Sequence, residues 1–172
     1  MIGRHIDAHR NQSLTPIVLA MSRPQIRVKA FAVLLNAARD AHLVWRGSDS
    51  TKAPTDFHRL LGGHVEFGEA AIDAIRREII EETAAELRDP QCLGVLENRF
   101  VYEGQPGHEI VFVYSGLLDP PEPVSAEGGW LSDNGAAIWA EWRPFVAHDT
   151  PIPVYPDGVE QLIADLVETV RG

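Results

Sequence analysis

Glu78 and Glu82 stand four positions apart in a stretch that reads as helix, which stacks their carboxylates on one face. That face also carries Ala71 and borders Ile75, so the two acids lie beside the buried edge of the helix. Carboxylates in such a place repel one another and lose hydration unless a cation joins them. Glu81 lies on the flank, and Glu66 and Glu69 sit at the helix entry. One-turn spacing of several carboxylates suits a hard divalent cation with oxygen ligands. On the helix alone, an ordinary solvated face laced by Asp73–Arg76 and Arg77–Glu81 pairs is the simpler reading. The preceding loop shifts the balance. Gly62-Gly63 lets backbone groups approach a ligand closely, and the helix N-terminus behind it favours anions. Loop, helix and acids together read as a site for a metal and a phosphate.

The elements that must position these residues follow from pattern. Residues 26–35 are rich in β-formers and apolar enough for a central strand, and 42–45 continue it as a hairpin partner. Residues 57–61 form a short strand running into Gly62-Gly63. A helix is expected over 69–86, with Ile72, Ile75 and Ile79 in an apolar stripe about 60° wide and Pro90 marking that it has stopped. Residues 92–102 and 109–118 read as strands paired around the turn 103–107, 119–135 as a long Pro- and Gly-rich loop, and 138–142 as one more strand. A last helix begins behind Asp157, with Val159, Leu162, Ile163, Leu166, Val167 and Val170 on its apolar face. Strands interrupted by one helix and closed by another imply an α/β or α+β layered domain. Residues 1–24 carry no sustained period and are expected to be an arm or extended leader, with Met21 an alternative start; 25–172 form the domain.

Composition narrows the function. The 172 residues are 45% apolar and 23% charged, as expected of one globular domain with a real core. Fifteen Lys and Arg against 25 Asp and Glu leave a net charge of −10, which argues against a nucleic-acid polymer as partner. A single cysteine, Cys92, excludes an internal disulfide and a thiolate metal cluster. No apolar run is long enough for a bilayer, and a cytoplasmic location is the default expectation.

Gly63, Glu69, Arg77, Glu78, Ile79, Glu81 and Glu82 fall in the register of the Nudix box, G-x5-E-x7-R-E-U-x-E-E-x-G-U with U apolar. At about one in fifteen for each of six fixed residues, a chance match is on the order of 10⁻⁷ per window. The chain therefore resembles the Nudix (MutT-like) hydrolases, and the strands around the box resemble their α/β/α sandwich with a central mixed β-sheet. Two departures are visible: Ala84 replaces the late glycine of the box, and Leu61 stands where many members have proline.

The resemblance implies Mg²⁺- or Mn²⁺-dependent hydrolysis of a diphosphate linkage in a nucleoside diphosphate derivative, by metal-activated water. The substrate is expected to be a nucleoside di- or triphosphate or a nucleotide-sugar type diphosphate. By similarity, Glu78 and Glu82 are the main metal ligands, with Glu81 direct or through water and the Gly63 carbonyl as a further donor. Arg77 orients the cluster by pairing with Glu69. The general base is left open among Glu78, Glu81 and the later Glu103, Glu109 and Glu127. Arg46 and Arg59, at strand ends beside the loop, are candidate phosphate clamps together with Gly62 and Gly63. Phe57, Tyr102, Trp130 and Trp142 are candidates for stacking on a base. The run Glu97-Asn98-Arg99-Phe100 with His108-Glu109 resembles a subgroup whose substrates are poorly defined. The competing reading is a nucleotide-binding or regulatory module on the same fold without turnover, against which the complete glutamate set argues. Decapping of mRNA conflicts with the acidic charge. A homodimer through the terminal helix and the arm is an open alternative.

Overall fold

The computed structural model describes residues 24–145 and 152–171. The expected arm, residues 1–24, lies outside them apart from Pro24. Strand β1 (Arg27–Leu35) organises the sheet, and its side chains alternate between two cores. Ala30, Ala32 and Leu34 enter one apolar cluster, while Phe31, Val33 and Leu35 enter the other. A run buried on both faces is what a central strand requires.

Two partners share one edge of β1. The final pair of residues bonds antiparallel to β2 (Ala41–Ser48), and Lys29–Ala32 bond antiparallel to β4 (Leu61–His64). On the other edge, β6 (Gln105–Asp119) runs parallel to β1 from Arg27↔Glu109 to Leu35↔Leu117. The long β5 (Glu86–Tyr102) closes that side as the antiparallel hairpin partner of β6. From β2 the sheet continues to β3 (Asp56–Arg59) and to β8 (Ala136–Pro144), which carries β7 (Gly129–Asp133); β9 (Val154–Tyr155) adds parallel to β3. Helix α1 (Ala71–Thr83) covers one face through Ala74, Ile75 and Ile79. Helix α2 (Val159–Arg171) covers the other through Val159 and Ile163. The result is the expected α/β/α sandwich around a mixed sheet. Among the described residues no helix is long and apolar enough to cross a membrane.

Several boundaries differ from the sequence reading, each for a physical reason. Helix α1 ends at Thr83 rather than residue 86, because Ala84 turns left-handed (φ 57°, ψ 18°) and its N–H bonds the Ile80 carbonyl at 2.9 Å. Here the family pattern has glycine, and the conformation explains why. The helix has stopped before Pro90, as expected, but Pro90 is not what ends it. It lies inside β5, where the register slips between Arg88 and Gln91; such an irregularity tolerates the missing donor. Strand β4 was hidden by Gly62 and Gly63, poor β-formers that nonetheless fit beside β1. Strand β7 lies within the expected 119–135 loop, and the two-residue β9 is too short to signal itself.

Candidate active site

The loop from β4 into α1 is shaped by its glycines. Gly62 has φ 122°, a conformation that side chains rarely adopt, and a Cβ there would collide with the Ala30 carbonyl. Gly63 is open for a different reason: its missing Cβ leaves the space that the Glu78 carboxylate occupies. Any side chain at Gly63 would displace Glu78. The other helix acid, Glu82, accepts the Gly62 N–H at 2.9 Å. Both carboxylates are thus buried between α1 and the glycine strand, at 6% exposure each.

Arg77 binds the rest of the cluster. Its Nε and Nη2 donate to Glu69 Oε1 and Oε2 at 2.9 and 3.0 Å, a bidentate pair. Its Nη1 donates to Glu78 at 3.0 Å and to Glu81 at 3.4 Å, and Nη2 also reaches the His64 carbonyl at 3.0 Å. Glu69 additionally accepts the Glu66 N–H at 3.0 Å. The Arg77 hydrogen bonds hold the Glu69 carboxyl down to about 2 and push the Arg77 guanidinium up. Arg77 therefore meets Glu69, Glu78 and Glu81, while no bond joins it to Glu82.

Glu82 stands apart electrostatically. Burial first, then the nearby carboxylates of Asp133 and Glu78, push its pKa up to about 8 against the bond from Gly62. The Arg59 charge opposes that push but forms no ion pair with Glu82, and hard oxygen donors define which cation would serve. Among the described residues no three His, Cys, Asp or Glu side chains converge as a group able to hold a metal ion by themselves. Mg²⁺ takes few carboxylates and keeps waters, so the buried pair Glu78 and Glu82 would suit it without a third. The donor set fits a divalent ion.

On the opposite face of β1 lies a cavity of about 250 Å³. Aromatic side chains form one wall: Phe57 meets Trp45, Tyr102 and Tyr155 edge-on at 5.7, 6.1 and 5.6 Å. Cations enter from the sheet, with Arg27, Lys29 and Arg59 from β1 and β3 and Lys52 from the β2–β3 loop. Arg27 pairs with the buried Glu109 at 3.1 Å, and Asn98 donates to the same carboxylate at 3.4 Å. Arg59 lies over the Phe31 ring at 4.6 Å and near Trp45 at 5.8 Å. Fields from Glu109, Glu82 and Asp133 all reach Arg59, so the cavity and the helix cluster are electrostatic neighbours.

Comparison with known proteins bears on the family and the fold. The NUDIX domain family matches residues 25–156, most of the chain. The chain belongs to the Nudix hydrolase family. Solved structures with the same fold include a MutT Nudix hydrolase from Burkholderia pseudomallei, at TM-score 0.55 and 21% identity, covering 81% of this chain and 97% of that one. A MutT protein from Methanosarcina mazei Go1 gives TM-score 0.56 at 17% identity over 88% and 99% of the two chains. A Nudix hydrolase from Nitrosomonas europaea gives 0.53 at 23% over 84% and 90%.

The positions of the sequence candidates can now be stated for this Nudix protein. Arg77, Glu78, Glu81, Glu82, Gly62 and Gly63 come together between α1 and β4, and Arg59 reaches the cavity. Arg46 does not. Strand alternation turns it away from Trp45, and Asp56 holds its guanidinium at 2.6 Å with both side chains well exposed. Of the later glutamates, Glu109 lines the cavity, Glu103 sits exposed on the hairpin turn, and Glu127 bonds Ser125 at 2.9 Å on a surface loop. Phe57 and Tyr102 line the cavity. Trp142 packs against the α1 core, and Trp130 is 69% exposed. The subgroup-like run is explained by pairing across the hairpin, with His108 on Glu97 at 2.9 Å and Asn98 on Glu109. Sequence reasoning missed Lys29 and Asp133. Lys29 carried a signal, a lysine at an inward position of an apolar strand, whereas Asp133 lay in an apparent loop with none.

Proposed function

We propose that this protein hydrolyses a diphosphate linkage in a small nucleotide with the help of Mg²⁺, or of Mn²⁺ in its place. The observation that carries the reading is the joint placement of Glu78 and Glu82. One fills the space left by Gly63, and the other is buried, bonded to Gly62 and without an ion-pair partner among the described residues. Glu78 and Glu82 would hold the ion, with the Gly63 carbonyl and Glu81 as further oxygen donors. When bound, the ion supplies charge neutralisation on phosphate oxygens and lowers the pKa of a bound water.

The chain's own residues supply the remaining functions. Arg77 positions the acids, because its bidentate grip on Glu69 ties α1 to its entry loop while its remaining N–H groups orient Glu78 and Glu81. Glu81 is the general base: its side chain is 53% exposed and bound only by the long 3.4 Å contact, so it can take a proton from an attacking water. Glu103 and Glu127 project elsewhere, and the Arg27 pair occupies Glu109. Arg59 meets substrate phosphate, and the Phe57 wall takes the planar part of the nucleotide. No covalent enzyme intermediate is required.

The test is product mass analysis with Mg²⁺ across nucleoside di- and triphosphates, nucleotide sugars and dinucleoside polyphosphates, with Glu82→Gln beside wild type. Cleavage by wild type and a loss of about 10²-fold or more in the variant, at unchanged folding, is the expected result. Full turnover by Glu82→Gln at saturating Mg²⁺ would remove Glu82 from the ligand set. Nucleotide binding without cleavage of any substrate would favour the non-catalytic module.

A further inference from the structure

Lys29 is buried to 7% exposure on the cavity face of β1, yet its recorded polar partner is the imidazole Nδ1 of His64 at 3.0 Å. Lys29 therefore donates to a neutral acceptor and has no counter-charge in contact. Arg59, beside it on the cavity floor, also lacks one: among the described residues neither side chain has a carboxylate within 4 Å. The nearby acids are engaged elsewhere. Arg27 holds Glu109 at 3.1 Å, Arg77 holds Glu78 at 3.0 Å, and Glu82 takes the Gly62 N–H.

Burying an ammonium without an anion is costly, and a second cation beside it adds to the cost. Burial and the Arg59 charge hold the Lys29 pKa down to about 8, so near neutral pH it still carries its proton. Arg59 is oriented by the Phe31 ring at 4.6 Å, which fixes the guanidinium plane without satisfying its N–H groups. The fold thus maintains two adjacent cations at the floor of a cavity, with donors unspent.

We propose that Lys29 and Arg59 form an anion subsite that binds a phosphate group of the substrate on the cavity side of β1, between the carboxylates of α1 and the aromatic wall around Phe57. This rests on the nucleotide-hydrolase reading but not on its metal assignment. It assigns Lys29 as a binding residue that determines specificity. It also favours substrates with a phosphate chain long enough to reach the floor while a second phosphate stays at the helix.

The test uses EDTA-treated full-length protein, so that metal ligation and turnover play no part. Calorimetry with inorganic tripolyphosphate compares wild type, Lys29→Met, Arg59→Gln and, as a surface control, Arg46→Gln. Lys29→Met is expected to weaken binding about ten- to a hundredfold, the size of a lost charge-assisted hydrogen bond, with a similar loss in Arg59→Gln and none in Arg46→Gln. The same Lys29→Met protein is expected to melt higher than wild type, because it loses an uncompensated buried charge and keeps the volume. A merely structural lysine would give a lower melting temperature. Equal binding by wild type and Lys29→Met, or no binding by wild type, would overturn the subsite. Turnover retained in Glu82→Gln would instead overturn the metal assignment and leave this result standing.

Discussion

The pKa of Glu82 makes the stability of the metal-free protein depend on pH in an unusual direction. The folded chain holds this carboxyl at about 8 against an ordinary value of 4.5, so between these limits it retains a proton that the unfolded chain releases. Its contribution to stability is fully present below pH 4.5 and is lost as pH rises to about 8. The whole window of about 3.5 pH units corresponds to roughly 5 kcal/mol at ~1.36 kcal/mol per unit. His42 acts oppositely. Complete burial lowers its pKa from 6.5 to about 3, so its contribution grows as pH rises to 6.5 and then stops. Lys29 bears on stability only above about pH 8. The interval from pH 6.5 to 8 therefore isolates Glu82, with an expected loss of about 2 kcal/mol, or roughly 4–8 °C in Tm for a domain of this size. Thermal melts in EDTA at half-unit pH steps measure it. Glu82→Gln is expected to flatten this interval, and saturating Mg²⁺ to remove most of the loss in wild type by favouring the ionised carboxylate. A metal-free wild type with constant Tm from pH 6.5 to 8, or a Glu82→Gln variant with the same slope, would refute the reasoning.

Gly63→Ala places a methyl group where the Glu78 carboxylate lies. Since that end of the side chain can swing away, activity should fall about 10²-fold with little change in Tm, as read by turnover and melting of the same preparation. Ala84→Gly relieves a left-handed alanine that costs about 1 kcal/mol, offset in part by the greater freedom of glycine when unfolded. A net gain of about 0.5 kcal/mol, or roughly 1–2 °C in Tm, is expected. Arg46→Gln breaks an exposed pair with Asp56 and should leave kcat/KM within about twofold of wild type, whereas Arg59→Gln should raise KM.

The acid-bearing helix was legible because its pattern is local. Spacing along one helix decides which acids share a face, and the partner of Arg77 is reached within the same loop-and-helix unit as Glu69. The two helices and the central strand also declared themselves through periodicity. What stayed hidden depends on pairing between distant segments. Gly62-Gly63 reads as a loop until β1 is beside it, and the short β7 brings Asp133 to Glu82 through tertiary packing alone. Arg46 and Arg59 looked equivalent, since both lie near strand ends beside the glycine loop. The facing of β2 and β3 separates them, leaving one on the surface and bringing the other into the cavity.

The placement of the site follows from how β1 changes along its length. Its second half is apolar on both faces and serves as the middle of the sandwich. Its first half keeps the same alternation but puts an exposed Arg27 and a buried Lys29 on the cavity face, beside Glu109 on β6 and opposite the glycine strand that receives Glu78 and Glu82. The buried charges of this region, Lys29, Glu78, Glu82 and Glu109, each violate the preference for an apolar interior when taken alone. Their signs are arranged, however: Glu78 and Glu82 lie on the helix side, while on the cavity side Arg27 pairs with Glu109 and Lys29 and Arg59 have no ion pair among the described residues. That separation leaves the folded protein with a demand for a cation at one position and for an anion at the next. Under the proposed function, a phosphate chain bridged by a divalent ion would meet both demands at once. Local instability in the empty protein is therefore a source of ligand recognition, and substitutions that remove either set of charges should make the fold more stable and the nucleotide less well held.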